Sequence, residues 1–286
     1  MDTRRGARYL WFLKQGGFRR LFVWLFITLL LISIVVPLIV MVLWSLIDPQ
    51  VGWEYPDLYP KAFSLHFWRH LLSLEEVPRA MALSFTIAPV VTILTGILAL
   101  PTAYVLGRKS FWGKGLIEIM VLLPIIIPGI TVAISLGSIF NRLGLSQTIP
   151  GIIMAHMLVV MPYMIRTVTS TFKAIPQDVI DAAYDLGASP LQVAKYILIP
   201  LVMPGLFAGG VFTFIYSIEE FVLTFIIATP TYQTVPTLLF SYLGYYFSRP
   251  LASAISLIIL VPTIFTLFLA EKFLKAEYLS SGFGKF

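Results

Sequence analysis

The stretch Ile175-Pro-Gln-Asp-Val-Ile-Asp-Ala-Ala-Tyr-Asp-Leu-Gly-Ala-Ser-Pro-Leu-Gln-Val-Ala-Lys-Tyr-Ile-Leu-Ile-Pro200 sets two short helix patterns between long apolar runs, and the rest of the chain is read outward from it. Pro176 and Asp178 suit a first helical turn, because proline lacks the donor that would go unsatisfied there and a carboxylate favours the positive N-terminal end. Val179, Ala182, Ala183 and Leu186 then recur at helical spacing on one face. Gly187 falls where a helix ends in a left-handed residue that glycine adopts without penalty. Ser189-Pro190 is a cap followed by proline at the first position of a second helix. Val193, Tyr196 and Ile197 line that helix, and Pro200 is expected to stop it. Small side chains at Ala182 and Ala183 permit close approach of another protein's surface, while Asp181 and Asp185 stay exposed. This is the form of a docking element.

On either side lie runs nearly free of charge, at about 21–46, 80–107, 117–140, 148–165, 201–228 and 251–270. Each approaches or exceeds the roughly 20 residues that cross the hydrocarbon core of a bilayer. The expected fold class is therefore an all-α membrane protein with about six transmembrane helices. Composition agrees: 58% of the 286 residues are apolar and 12% charged, with a mean hydropathy of +0.90, against roughly 25% charged in soluble domains. The apolar stretch Leu21 to Leu46 is too long for the core of a cleaved signal peptide, so the first helix is expected to be retained. The absence of cysteine excludes disulfides, thiol nucleophiles and Cys-ligated metals.

With the N-terminus placed inside, fifteen of the twenty Lys and Arg residues fall on the inner side and five on the outer. That bias predicts both termini to be cytoplasmic. It also explains the net charge of +6 without nucleic acid. The expected division is a basic N-terminus at 1–20, a transmembrane domain at 21–275 with the docking loop at about 172–200, and a C-terminal tail at 276–286. An outer loop at about 47–79, with Trp53, Tyr55, Tyr59, Phe67 and Trp68, reads as a segment lying at the membrane interface.

At this point the residues resemble a known family, the permease subunits of binding-protein-dependent ABC importers. Their EAA loop has the form Glu-Ala-Ala, three residues, Gly-Ala-Ser, then a Pro-flanked apolar helix. Here it reads Asp181-Ala182-Ala183, Gly187-Ala188-Ser189, and Pro200 through Pro204-Gly205. Asp181 is a departure from the usual Glu, a shorter carboxylate that keeps the charge. The likeness extends from about Leu83 to Ala270. It implies that Asp181, Ala182, Ala183, Asp185, Gly187, Ala188 and Ser189 couple to a separate ATP-binding subunit. The chain has no Gly-x-x-x-x-Gly-Lys-Ser/Thr phosphate loop, since Gly282–Lys285 has neither the spacing nor the hydroxyl. The resemblance thus implies no cofactor and no catalysis on this chain, with ATP and magnesium handled by a dimer of the partner ATPase. Other implied partners are a second permease subunit, favoured as a different homologous chain, an extracytoplasmic solute-binding protein and membrane lipid. The implied location is the bacterial inner membrane.

Glu219 and Glu220 stand in the fifth apolar run, about 27–29 Å along a helix counted from Leu201 at about 1.5 Å per residue. Carboxylates there must face water or a partner, and adjacent helical positions diverge by about 100°. One therefore faces the pathway and the other a neighbour. The stretches Phe214–Phe221 and Thr234–Phe240 resemble the spermidine and putrescine branch of the family, which implies Tyr216, Ser217, Glu219 and Glu220 as candidate pathway residues for a polyamine or related cation. The alternatives are that these acids are architectural in permeases for other solutes, such as a sugar or an amino-acid-like compound, or that the chain is a secondary transporter. His156 reads as a membrane histidine bonded to a neighbouring carbonyl rather than a proton relay. Met154, Met157, Met161 and Met164 read as packing. Tyr242, Tyr245, Tyr246 and Phe247 read as an interfacial belt at the outer end of the sixth helix.

Overall fold

The computed structural model describes the backbone of residues 3–54 and 56–282 and the side chains of residues 19–54 and 56–272. Tyr55, the side chains of the basic residues before Arg19, and Gly282–Lys285 with most of the expected C-terminal tail lie outside what is described at that level. The helices, in order, are α1 (Thr3–Ser45), α2 (His66–Ser73), α3 (Glu76–Arg108), α4 (Lys114–Ile126), α5 (Gly129–Arg142), α6 (Ile149–Ala174), α7 (Gln177–Asp185), α8 (Pro190–Val193), α9 (Ile199–Glu219), α10 (Val222–Ala228), α11 (Val235–Gly244) and α12 (Arg249–Gly282). Among the described residues, five spans are long and apolar enough to cross a membrane, and the bent pair α4 and α5, counted as one, makes six.

The chain divides into two compact units. The first holds residues 1–69 and 249–254. In it the stretch after α1 folds back through a bridge between Ile47 and Phe63. The ring of Trp44 lies 5.0 Å from that of Trp53, and the Arg249 guanidinium sits 5.5 Å from the Trp44 ring.

The second unit, residues 70–248 and 255–286, is built on α3, α6 and α9. Its core joins Ala99, Ala103 and Leu106 of α3 to Met164, Ile165, Val168 and Phe172 of α6 and to Val202 of α9. Large apolar side chains such as Ile93 and Ile97 of α3 are turned outward, 61% and 62% exposed, which suits a solvent of lipid tails. Lipid supplies no hydrophobic drive for one helix to meet another, so close backbone approach at small residues does much of the holding. Gly205 and Gly209 of α9 serve this purpose: an added Cβ at Gly205 would collide with the Thr171 hydroxyl, and one at Gly209 would meet the Met164 sulfur at 2.7 Å.

Several sequence expectations on continuity are corrected. The third run is two helices bent by 98°, because Ile127, held extended before Pro128 at φ −75 and ψ 134, cannot continue the turn. Pro200 does not stop a helix. A wider turn at Ala194–Leu198, in which the Ile199 N–H bonds to the Ala194 carbonyl, places Pro200 in the first turn of α9, so Pro190–Glu219 runs as one 30-residue span. The fifth run breaks after Glu219. Helix α6 extends to Ala174, beyond the 148–165 run and into the expected loop at about 172–200, so Lys173 stands on the helix. Tyr242 belongs to α11, a separate short helix, and is buried, so the tyrosines and Phe247 do not form the outer turn of α12.

Filling the contact at Gly205 tests this packing. Gly205→Val is expected to lower stability by about 1–3 kcal/mol through overpacking, read as a fall in unfolding temperature of the detergent-solubilised protein. Gly96→Ala, whose nearest neighbour would lie at 3.8 Å, should leave that temperature essentially unchanged.

Candidate docking loop and the break in the fifth span

Between α6 and α9 the chain turns at Ile175-Pro176 and enters α7 with Asp178 in its first turn. Helix α7 ends in a Schellman motif: the Gly187 N–H bonds to the Tyr184 carbonyl at 2.9 Å and the Ala188 N–H to the Ala183 carbonyl at 3.0 Å. Gly187 has φ +84, the left-handed conformation expected of it. Ser189 then caps the next helix, with a reciprocal bond from its own N–H to the Gln192 side chain at 2.7 Å. Gln192 completes a capping box.

The faces differ from expectation in one respect. Ile180, with Ala183 and Ala188, packs against the core, while Val179, Leu186 and Leu191 are exposed at 42%, 89% and 77%. Ala182, Asp181 and Asp185 share that open side, so the loop presents apolar and acidic groups together. Arg108, at the end of α3, pins its start: the guanidinium donates to the Ile175 carbonyl at 2.7 Å and to the Gln177 side chain. Gln177 in turn donates to Asp181 at 2.8 Å. No local pattern marks Arg108 for this role, since its contacts span more than sixty residues.

At the other end of α9 the two glutamates separate. Glu219 is the last helical residue and exposed; its carboxylate accepts from the Thr263 hydroxyl of α12 at 3.2 Å. Glu220 is extended, at φ −67 and ψ 123, and 9% exposed. Its two oxygens accept the Leu223 and Thr224 N–H groups at 2.9 and 3.1 Å, capping α10. Ser217 is buried and Tyr216 exposed, the Tyr216 ring lying 5.8 Å from that of Tyr163. The four candidate pathway residues therefore do not form one group. Tyr216 and Glu219 lie on the open side, and Ser217 and Glu220 join His156, whose ring nitrogens lie 2.9 Å from the Ser217 and Thr224 hydroxyls. The histidine's partners are hydroxyls rather than the expected carbonyl. Beside the break, Phe221, Phe225 and Phe240 stack with ring centroids 5.0–5.2 Å apart.

At the end of α3 remote from Arg108, a cleft of about 930 Å³ carries Glu75, Glu76, Arg79 and Tyr232. Tyr242 donates to Glu76 at 2.6 Å, and Arg79 pairs with Glu75 at 2.7 Å.

Comparison with known proteins places this architecture. Residues 99–276 match the family described as binding-protein-dependent transport system inner membrane component. The chain is 28% identical over 236 residues, 82% of its length and 87% of the relative's, to the spermidine/putrescine transport system permease protein PotC of Escherichia coli (strain K12). It is 28% identical over 211 residues, 72% of this chain and 77% of the relative, to the trehalose transport system permease protein SugB of Mycobacterium tuberculosis (strain CDC 1551 / Oshkosh). Its fold matches a chain of a bacterial ABC transporter involved in the import of the acidic polysaccharide alginate, with a TM-score of 0.72 over 91% of this chain and 96% of that one at 16% identity. A shared helix order, a family match over well beyond half the length and a loop of the expected form agree: the chain belongs to the binding-protein-dependent transport system inner membrane components, the permease subunits of ABC importers.

Proposed function

We propose that this permease couples to a separate dimer of ATP-binding subunits through the open side of Gln177–Gln192, and that it forms half of a pathway for a polyamine or related organic cation. The observation that carries the coupling role is the loop's construction. Arg108, Ile180 and the two capped helix ends hold its backbone, yet Val179, Leu186 and Leu191 remain uncovered. A rigid loop with exposed apolar side chains suits a protein partner. On this reading both termini and the loop face the cytoplasm, and ATP with magnesium is held by the partner. The pathway is completed by a second permease, and the solute arrives from an extracytoplasmic binding protein. The cleft lined by Glu75, Glu76 and Tyr232 then opens outward.

The cationic solute is supported by the exposed carboxylate of Glu219 and by PotC among the relatives. An uncharged sugar is the second reading, supported by equal identity to the trehalose permease SugB. Charge separates the two. A carboxylate facing an ammonium group stabilises it directly, whereas a sugar hydroxyl is served nearly as well by an amide.

Two measurements follow. Leu186→Asp places a charge where an apolar contact is expected and disturbs no buried atom, Leu186 being 89% exposed. It should abolish co-purification of the ATP-binding subunit and ATP-driven uptake while membrane insertion stays normal; a fully bound ATPase would count against the docking role. Glu219→Gln should raise the KM for spermidine uptake about tenfold, roughly 1.4 kcal/mol, with Vmax little changed. A sugar permease would show trehalose uptake indifferent to the change and no saturable spermidine uptake at all.

A further inference from the structure

The break between α9 and α10 is held by side chains that neither the docking loop nor the exposed face explains. His156 of α6, Ser217 of α9, Glu220 in the break and Thr224 of α10 are 1%, 4%, 9% and 1% exposed. The hydrogen-bond directions follow from what each group can still offer. Glu220 accepts two backbone N–H groups and takes the Thr224 hydroxyl as a third donor at 3.4 Å. Thr224 Oγ1 is then left to accept from His156 Nε2–H at 2.9 Å, and Nδ1 accepts from the Ser217 hydroxyl at 2.9 Å. This tautomer is inferred from the network. It also directs Nε2–H toward the Glu220 carboxylate, whose nearer oxygen is 3.5 Å away.

The arrangement ties one continuous helix to both halves of a broken one. A buried polar chain of this kind holds best complete, because removing one member leaves its neighbours without partners where no water replaces them. Glu219 adjoins the clamped Glu220, so the direction of its side chain is set by whether the last turn of α9 keeps its register against α6.

We propose that His156 and Glu220 are positioning residues: they clasp α6 to both sides of the break and thereby hold the Glu219 carboxylate on the open side of α9. The role in solute recognition rests on the reading that Glu219 faces the solute; the clasp itself does not.

The natural absence of cysteine supplies a test that needs no solute. Glu219→Cys introduces a single thiol into this chain. In the complete transporter, with partner chains made cysteine-free, its rate of reaction with a cationic methanethiosulfonate reagent reports its presentation. Adding His156→Ala or Glu220→Gln should change that rate about tenfold, and His156→Gln, which keeps a donor and an acceptor, should bring it back to within about twofold. An unchanged rate in both disrupting variants, at normal membrane abundance, overturns the clasp.

Spermidine uptake tests the link to transport. His156→Ala should raise KM about tenfold when Glu219 is present and have no further effect beside Glu219→Gln. Two independent, multiplying increases would overturn the positioning role. An unaltered KM for Glu219→Gln alone would sink the solute reading, leaving the thiol rates to judge the clasp.

Discussion

A hydrocarbon interior offers no water to replace a lost backbone hydrogen bond, so a helix can break there only where the protein supplies the missing partners. This constraint governs both interruptions in the second unit. At Ile127–Pro128 the proline needs no partner for a donor it lacks, and the first amides of α5 return to the Pro128 carbonyl, Thr131 at 2.9 Å and Val132 at 3.2 Å. At Glu220 the carboxylate accepts the first amides of α10. The buried carboxyl used this way is backed by side chains of its own: the Thr224 hydroxyl donates to it, and His156 and Ser217 continue the chain from Thr224. The buried polar residues beside this break are thus grouped around a backbone need.

What could be read from the sequence was what has a local cause. Hydropathy placed the spans because the thickness of a bilayer sets their length. The left-handed turn at Gly187 and the cap at Ser189 were legible because each is decided within four residues. Pro200 misled because its effect depends on the wider turn before it, which moves the carbonyl it would have struck out of register. The break after Glu219 misled because no proline or glycine announces it; the run Ser217–Phe221 is compatible with helix, and tertiary bonds to α6 decide otherwise. Arg108 carries no local sign of its role, and Tyr242 is not an interfacial ring, for the same reason. Their partners, Ile175 with Gln177 and Glu76 respectively, are remote in sequence.

The relatives carry names that speak of a polyamine, a disaccharide and an acidic polysaccharide, while the helix order persists at 16% identity. A fold that serves such different cargo does not choose it. Near the break, Glu220 serves the backbone, while its neighbour Glu219, exposed at the end of α9, caps no helix. Two adjacent identical residues therefore stand under different physical demands.

The continuity of Pro190–Glu219 has a mechanical meaning. At about 1.5 Å per residue it is a rod some 45 Å long, with the capped Ser189 at one tip and the carboxylate of Glu219 at the other. A hinge would absorb a push; an unbroken rod delivers it, and a tilt of ten degrees about one tip sweeps the far tip through roughly 8 Å. The wide turn at Ala194–Leu198 admits proline without ending the helix, so a displacement of the Ser189 tip reaches the Glu219 tip along one continuous backbone.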